Sequence, residues 1–180
     1  MDLQNQNILF EDNDFIFFEY KRSLLNNYIH GIDNMYFQKK VRFLENYIGG
    51  GRICYLYSKM NESYAGYCMV TFGRCGRYLY SEKNGMTIGP IYLKKEFRGR
   101  RLSILMLEKI LEYYGSNKKV NFAYAYIHRI NKQSNALFSR VGFTITSNLK
   151  VSKMMRLVYK TDEPDTDYRL YEKKLTKSHV

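Results

Sequence analysis

The stretch NKQSNALFSRVGF, residues 131–143, decides how the rest of the chain is read. Asn131 is a helix-capping residue type, and Gly142 stops a helix. Immediately before it, VNFAYAYIH (120–128) is an apolar, aromatic run suited to a strand. The segment therefore reads as strand, capped helix, glycine stop. Asn131 taken singly is a cap.

Upstream, a second segment has a related shape. FRGRRLS (97–103) lies between the strand-like MTIGPIYL (86–93) and the helical LSILMLEKILEYYG (102–115). In that helix Leu102, Leu105, Met106 and Ile110 follow helical spacing, and Gly115 is expected to cap it. Arg98, Gly99, Arg100 and Arg101 thus stand at a helix start. Free backbone N–H groups and the positive end of the helix dipole favour an anion there. The arginines add charge-assisted hydrogen bonds, and Gly99 lets a phosphate approach closely. A solvated basic loop has the same composition. Pro90 cannot donate to a sheet ladder, so it marks an edge, a bulge or the end of pairing.

Further out, FIFFEY (15–20) reads as the first strand. Helices follow over 23–30 and from Asn34 through Ile48. ICYLYS (53–58) and YAGYCMVTFG (64–73) form a hairpin around Asn61. TITSNLKVSKMMRLVYK (144–160) and DYRLYEKK (167–174) are the remaining strands, joined by DEPD. Residues 1–12 are rich in Asn and acid and are expected to be loosely held, with one domain over 13–180. The alternation predicts a single-domain α/β fold. Its sheet is mixed, mostly antiparallel and six- to seven-stranded, with helices on both faces.

Bulk properties narrow the function classes. The 180 residues suit one domain that needs no disulfide or metal staple. Cys54, Cys68 and Cys75 are odd in number and lack a C-x-x-C pair, so neither a disulfide framework nor a zinc site is expected. The polar, acidic start MDLQNQNILFEDND is no signal peptide, and no apolar run spans a bilayer, so a cytoplasmic location is expected. The net charge of +12 favours an anionic partner. Nucleic acid qualifies by charge, but no RNA-binding signature is present.

Together the two segments resemble the GNAT superfamily of acyl-CoA-dependent N-acyltransferases, over about residues 86–145. The segment 131–143 holds Asn131, Ser134, Leu137, Phe138, Gly142 and Phe143, every element of the family's later motif. In the phosphate-binding motif Arg98 takes the first position. Arg101 stands where the family has glycine, and Ser103 where it has glycine or alanine. The resemblance implies a V-shaped splay between the fourth and fifth strands, 86–93 and 120–128. The pantetheine arm of acetyl-CoA would pair there, along Ile91 and Leu93. The pyrophosphate would sit on the loop Arg98, Gly99, Arg100, Arg101, Leu102 and Ser103. Asn131, Ser134 and Phe138 would face the same cosubstrate. Arg101 is expected in ordinary helical backbone, its side chain turned to a CoA phosphate.

The resemblance also exposes departures. Positions that often hold a catalytic glutamate carry Thr87 and Tyr126, and the family's tyrosine acid is replaced by Phe138. The acid and base candidates become Tyr126 and His128, at the end of the fifth strand. A phenol suits proton donation to a thiolate, and an imidazole titrates near neutrality. Alternatively the acceptor arrives neutral and needs no base. The implied activity is acetyl transfer to a primary amine of a small molecule: an amino sugar, nucleotide-linked or free, or an amino acid. Alternatives are a non-catalytic CoA-binding or interaction module and a protein N-acetyltransferase. The resemblance leaves the oligomeric state open, monomer or homodimer.

Overall fold

Alternating apolar runs and a few turn residues organise the chain into one sheet. The computed structural model describes residues 6–21, 50–73, 77–117, 120–152 and 156–175. The helices expected over 23–30 and 34–48 lie outside them. In order, the elements are β1 (Asn7–Glu11), β2 (Phe15–Glu19), β3 (Arg52–Ser58), β4 (Ser63–Phe72) and β5 (Gly85–Leu93), then a 3-10 turn (Lys95–Phe97). There follow α1 (Leu102–Asn117), β6 (Phe122–His128), α2 (Lys132–Arg140), β7 (Thr144–Val151), β8 (Val158–Thr161) and β9 (Tyr168–Lys174). The sheet order is β1-β2-β3-β4-β5-β6-β9-β7-β8. Among the described strands β5 and β6 pair in parallel, and every other pair is antiparallel.

Among the described residues the sheet has nine strands where the sequence suggests six or seven. Asn7–Glu11, expected to be loose, pairs with β2 as an edge strand. The run 144–160 is two strands, because the chain reverses after Val151. The Ser152 hydroxyl accepts the Leu157 N–H at 3.1 Å, and Arg156 takes a positive φ of 52°. Gly115 does not cap α1; the helix continues to Asn117.

The two described helices pack on one face of the sheet. On α1 the residues 102, 106, 110 and 114 form a ladder at helical spacing, and all four are buried with Leu107 and Leu111. They meet Ala123, Ala125 and Ile127, the residues that β6 turns to this side. Two alanines leave room for helix side chains close to the strand. Each fully buried large apolar side chain contributes about 1.5–3 kcal/mol. The alternate residues Phe122, Tyr124 and Tyr126 join the aromatic cluster on the other face, with Tyr78, Tyr80 and Tyr168.

One charge is buried beneath α1. Glu19 is 6% exposed. The Tyr114 hydroxyl donates to its Oε2 at 2.7 Å, and Arg52 Nε lies 3.0 Å from Oε1. That Nε is out of line for a hydrogen bond, so Arg52 acts there by charge. Burial, then the neighbouring Cys54 and Glu19, holds Tyr114 well above the usual phenol range, so it remains a donor. This contact pins α1 to β2 and β3.

β5 is bent where the site opens. Cys68 pairs with Ile91 and Val70 with Ile88, so β5 carries one extra residue in a bulge at Gly89–Pro90. Pairing with β6 stops at Thr87–Tyr124, before that bulge. Pro90 thus marks both a bulge and the end of pairing. On its other side β5 crowds β4: a Cβ on Gly66 would lie 2.2 Å from the Tyr92 carbonyl oxygen.

After Leu93 the chain turns through Phe97, which is buried, and enters α1 with unusual backbone. Gly99 has φ 82° and Arg101 φ 59°. Arg101 is therefore left-handed, not helical as expected from its non-glycine side chain. Its carbonyl accepts from the Ile104 and Leu105 N–H groups, so it opens the helix. The position keeps the conformation that favours glycine, at a cost of about 1–2 kcal/mol.

Two stability changes follow. Arg101→Gly should raise the denaturation free energy by about 1 kcal/mol, by relieving that strain. Gly66→Ala should lower it by about 1–3 kcal/mol, through overpacking against β5. Urea midpoints at constant slope measure both; a neutral Arg101→Gly would mean the left-handed turn is unstrained.

Candidate active site

Because β5 and β6 part after three paired residues, a gap opens between them. It is a cavity of about 510 Å³ that passes through the sheet. On the helix face its wall includes Arg98, Ser103, Ser134, Leu137 and Phe138; on the opposite face it includes Tyr92, Tyr126 and Tyr168. His128 and Asn131 line it near the end of β6.

The basic end is built at the start of α1. The first amides of a helix have no intrahelical acceptor, so Leu102 and Ser103 present N–H groups there. Arg98 Nε donates to the Leu93 carbonyl at 3.0 Å, which ties the loop to the end of β5. Arg100 does not line the cavity; its guanidinium lies 6.0 Å from the Phe97 ring centre. Gly99 and Arg101 are exposed on the loop, and Leu102 is buried in the core. Leu102 can therefore serve an anion only through its backbone.

α2 closes the helix face. Asn131 Oδ1 accepts the Ser134 N–H at 3.1 Å, so Asn131 is an N-cap and also lines the cavity. At the other end Gly142, φ 85°, donates to the Ser139 carbonyl at 3.0 Å, and Phe143 N–H donates to the Phe138 carbonyl at 3.1 Å. That is a Schellman stop, and its usual apolar contact is the Phe138–Phe143 ring pair, 5.0 Å apart. Phe138, 4% exposed, thus packs the helix end and lines the cavity without a hydroxyl. Asn135 fixes the helix sideways: its Nδ2 donates to the Arg129 carbonyl at 2.9 Å, and its Oδ1 accepts from the Tyr171 hydroxyl at 3.0 Å.

At the far end the rings of Tyr126, His128 and Tyr168 meet. Tyr168 lies 5.7 Å from Tyr126 and 4.9 Å from His128, centre to centre. His128 Nδ1 accepts the Ile130 N–H at 3.4 Å, a contact that orients the ring at the end of β6. Of the residues singled out from the sequence, Ile91, Leu93, Arg98, Ser103, Tyr126, His128, Asn131, Ser134 and Phe138 share this cavity. Gly99, Arg100, Arg101 and Leu102 stand beside it. Tyr92, Gln133 and Tyr168 line it without having been singled out. The alternation along β5 gives a signal for Tyr92; nothing local to Tyr168 does.

Comparison with known proteins adds the lineage. The family model described as acetyltransferase (GNAT) family matches residues 17–143. A search of curated proteins finds no match. Among solved structures, the microcin C7 self-immunity acetyltransferase MccE, in complex with acetyl-CoA and AMP, is 20% identical with a TM-score of 0.53. That match covers 73% of this chain and 65% of that one, so the chain spans less than two thirds of MccE. RimL, a ribosomal L7/L12 α-N-protein acetyltransferase in complex with coenzyme A, is 14% identical with a TM-score of 0.63, covering 94% of this chain and 98% of that one. The spermidine N-acetyltransferase of Vibrio cholerae, with CoA and spermine, is 12% identical with a TM-score of 0.55, covering 78% and 75%. At these identities the likeness is one of fold. The family model spans most of the chain, including the splayed strands and both motifs, and the chain belongs to the GNAT acetyltransferase family.

Proposed function

We propose that this chain is an acetyl-CoA-dependent N-acetyltransferase acting on a primary amine of a small molecule, an amino sugar or amino acid. The observation that carries the reading is the gap between β5 and β6, with a basic helix start on one face and a tyrosine–histidine wall on the other. Arg98, Ser103 and the amides at the start of α1 would hold the anionic part of acetyl-CoA. Ile91, Leu93, Asn131, Ser134 and Phe138 would flank its arm. When bound, it supplies an acyl group already activated as a thioester.

Transfer to an amine forms a C–N bond and breaks a C–S bond. The amine sheds a proton and the sulfur receives one. Backbone N–H groups on the unpaired edges of β5 and β6 are available to the polarised carbonyl oxygen. Tyr126 and His128 are the candidates for the proton transfers. His128 Nδ1 already accepts a backbone hydrogen bond, so that nitrogen is engaged before an amine arrives. The acceptor is therefore taken to arrive neutral. Among the described lining residues the formal charge is that of Arg98, so a polyamine finds no counter-ion there.

Two experiments test this. Arg98→Ala combined with Arg101→Glu should weaken CoA binding more than ten-fold, about 1.4 kcal/mol, by calorimetry; unchanged affinity removes the cofactor assignment. With a neutral acceptor, log kcat/KM should rise with slope one up to the acceptor's own pKa. That limb should move when an amine of different pKa is used, and should persist in His128→Ala. A limb that stays with the enzyme and vanishes in His128→Ala would make His128 the base.

A further inference from the structure

The family's tyrosine acid is missing at Phe138, yet a departing thiolate still needs a proton. The cavity contains a phenol that the sequence motifs do not point to. Tyr168 lines it, half-buried, and among the described residues its hydroxyl has no hydrogen-bond partner. Tyr126 lies between the Tyr78 and Tyr168 rings, each 5.7 Å away, and Tyr168 lies between the Tyr126 and His128 rings, one step nearer the end of β6.

Tyr168 is also held in place. Its backbone is paired directly with His128 across β6 and β9. The Thr166 hydroxyl donates to its carbonyl at 3.1 Å, and Thr166 is buried. The preceding loop is clamped by Arg129, whose N–H donates to the Asp167 carbonyl at 2.8 Å. The Arg129 guanidinium donates to the Pro164 carbonyl and, at 3.2 Å, to Asn148 Oδ1. A phenol fixed on a paired strand is well suited to directed hydrogen bonding.

We propose that Tyr168 is a catalytic residue of this site, donating its phenolic proton to the departing sulfur in place of the hydroxyl absent at Phe138. As the C–N bond forms and the C–S bond breaks, the sulfur leaves with the bonding pair and takes the Tyr168 proton. The phenolate then takes up the proton shed by the amine, directly or through water, and the residue ends unchanged. This rests on the acetyltransferase reading of the cavity.

The test compares CoA with desulfo-CoA, which lacks the thiol, in calorimetric titrations from pH 7 to about 9.5. A free thiol ionises near pH 8.5, and a donor aimed at the sulfur favours its thiolate. In the wild type, CoA should gain over desulfo-CoA as pH rises. In Tyr168→Phe that gain should shrink about ten-fold, one unit of thiol pKa, while desulfo-CoA affinity is kept. Turnover with acetyl-CoA and glucosamine or glycinamide should fall on the order of 10²-fold in the same variant, with acetyl-CoA KM unchanged. An equal CoA to desulfo-CoA ratio in wild type and Tyr168→Phe overturns the role of Tyr168, as does a loss of the gain in Tyr126→Phe alone. Failure of the wild type to bind CoA at all overturns the acetyltransferase reading, and this role with it.

Discussion

The molecule depends on a pairing that ends early. β5 and β6 run in parallel for three residues and then separate. Parallel neighbours in a sheet normally continue to exchange hydrogen bonds, and unpaired strand edges inside a fold are costly. Here an inserted residue at Gly89–Pro90 bends β5 away, while β6 stays locked to β9 along its whole length. The gap is therefore not a surface groove but a defect within the sheet, with backbone polar groups on both edges. A ligand that can pair with those edges resolves the defect. The side chains that line it come from those two arms and from the elements set beside them, the start of α1, α2 and β9.

Support for the gap comes from both sides. On the helix face, α1 is anchored by the buried Glu19 and Tyr114 contact, and α2 by its two caps and by Asn135. These fix where the helix ends point, and so where their N–H groups lie. On the far face no helix among the described residues intervenes, and aromatic rings fill the space instead. Among the buried or half-buried tyrosines, desolvation raises Tyr64 and Tyr124 to about 12. Such phenols remain neutral donors throughout the physiological range.

What was legible in the sequence is what is local. Asn131, Gly142 and Phe143 announce a capped helix because capping and the Schellman stop are satisfied within a few residues. The Leu102, Met106 and Ile110 spacing announces α1 for the same reason. Pro90 signals a break because its missing N–H is a covalent fact. Arg101 runs against its residue type, which argues for ordinary backbone, because the surrounding turn imposes a left-handed one. The run 144–160 holds no Gly or Pro, so nothing local signals its division into strands that end at Val151 and begin at Val158. Tyr168 is the clearest case of a residue illegible in sequence. It reaches the site because β9 pairs with β6, forty residues away along the chain from His128.

That pairing has a consequence for how the protein assembles. β6 and β7 are joined by a single short helix, yet they are not neighbours; β9 lies between them and pairs with both. No local hairpin can build that part of the sheet. Until β9 arrives, β6 and β7 must wait with open edges facing each other across an empty slot. Closing that slot brings together residues far apart along the chain, such as His128 and Tyr168, and is a non-local event. The strand that bridges this part of the sheet also carries Tyr168 into the cavity wall, so the site exists only where the sheet is complete.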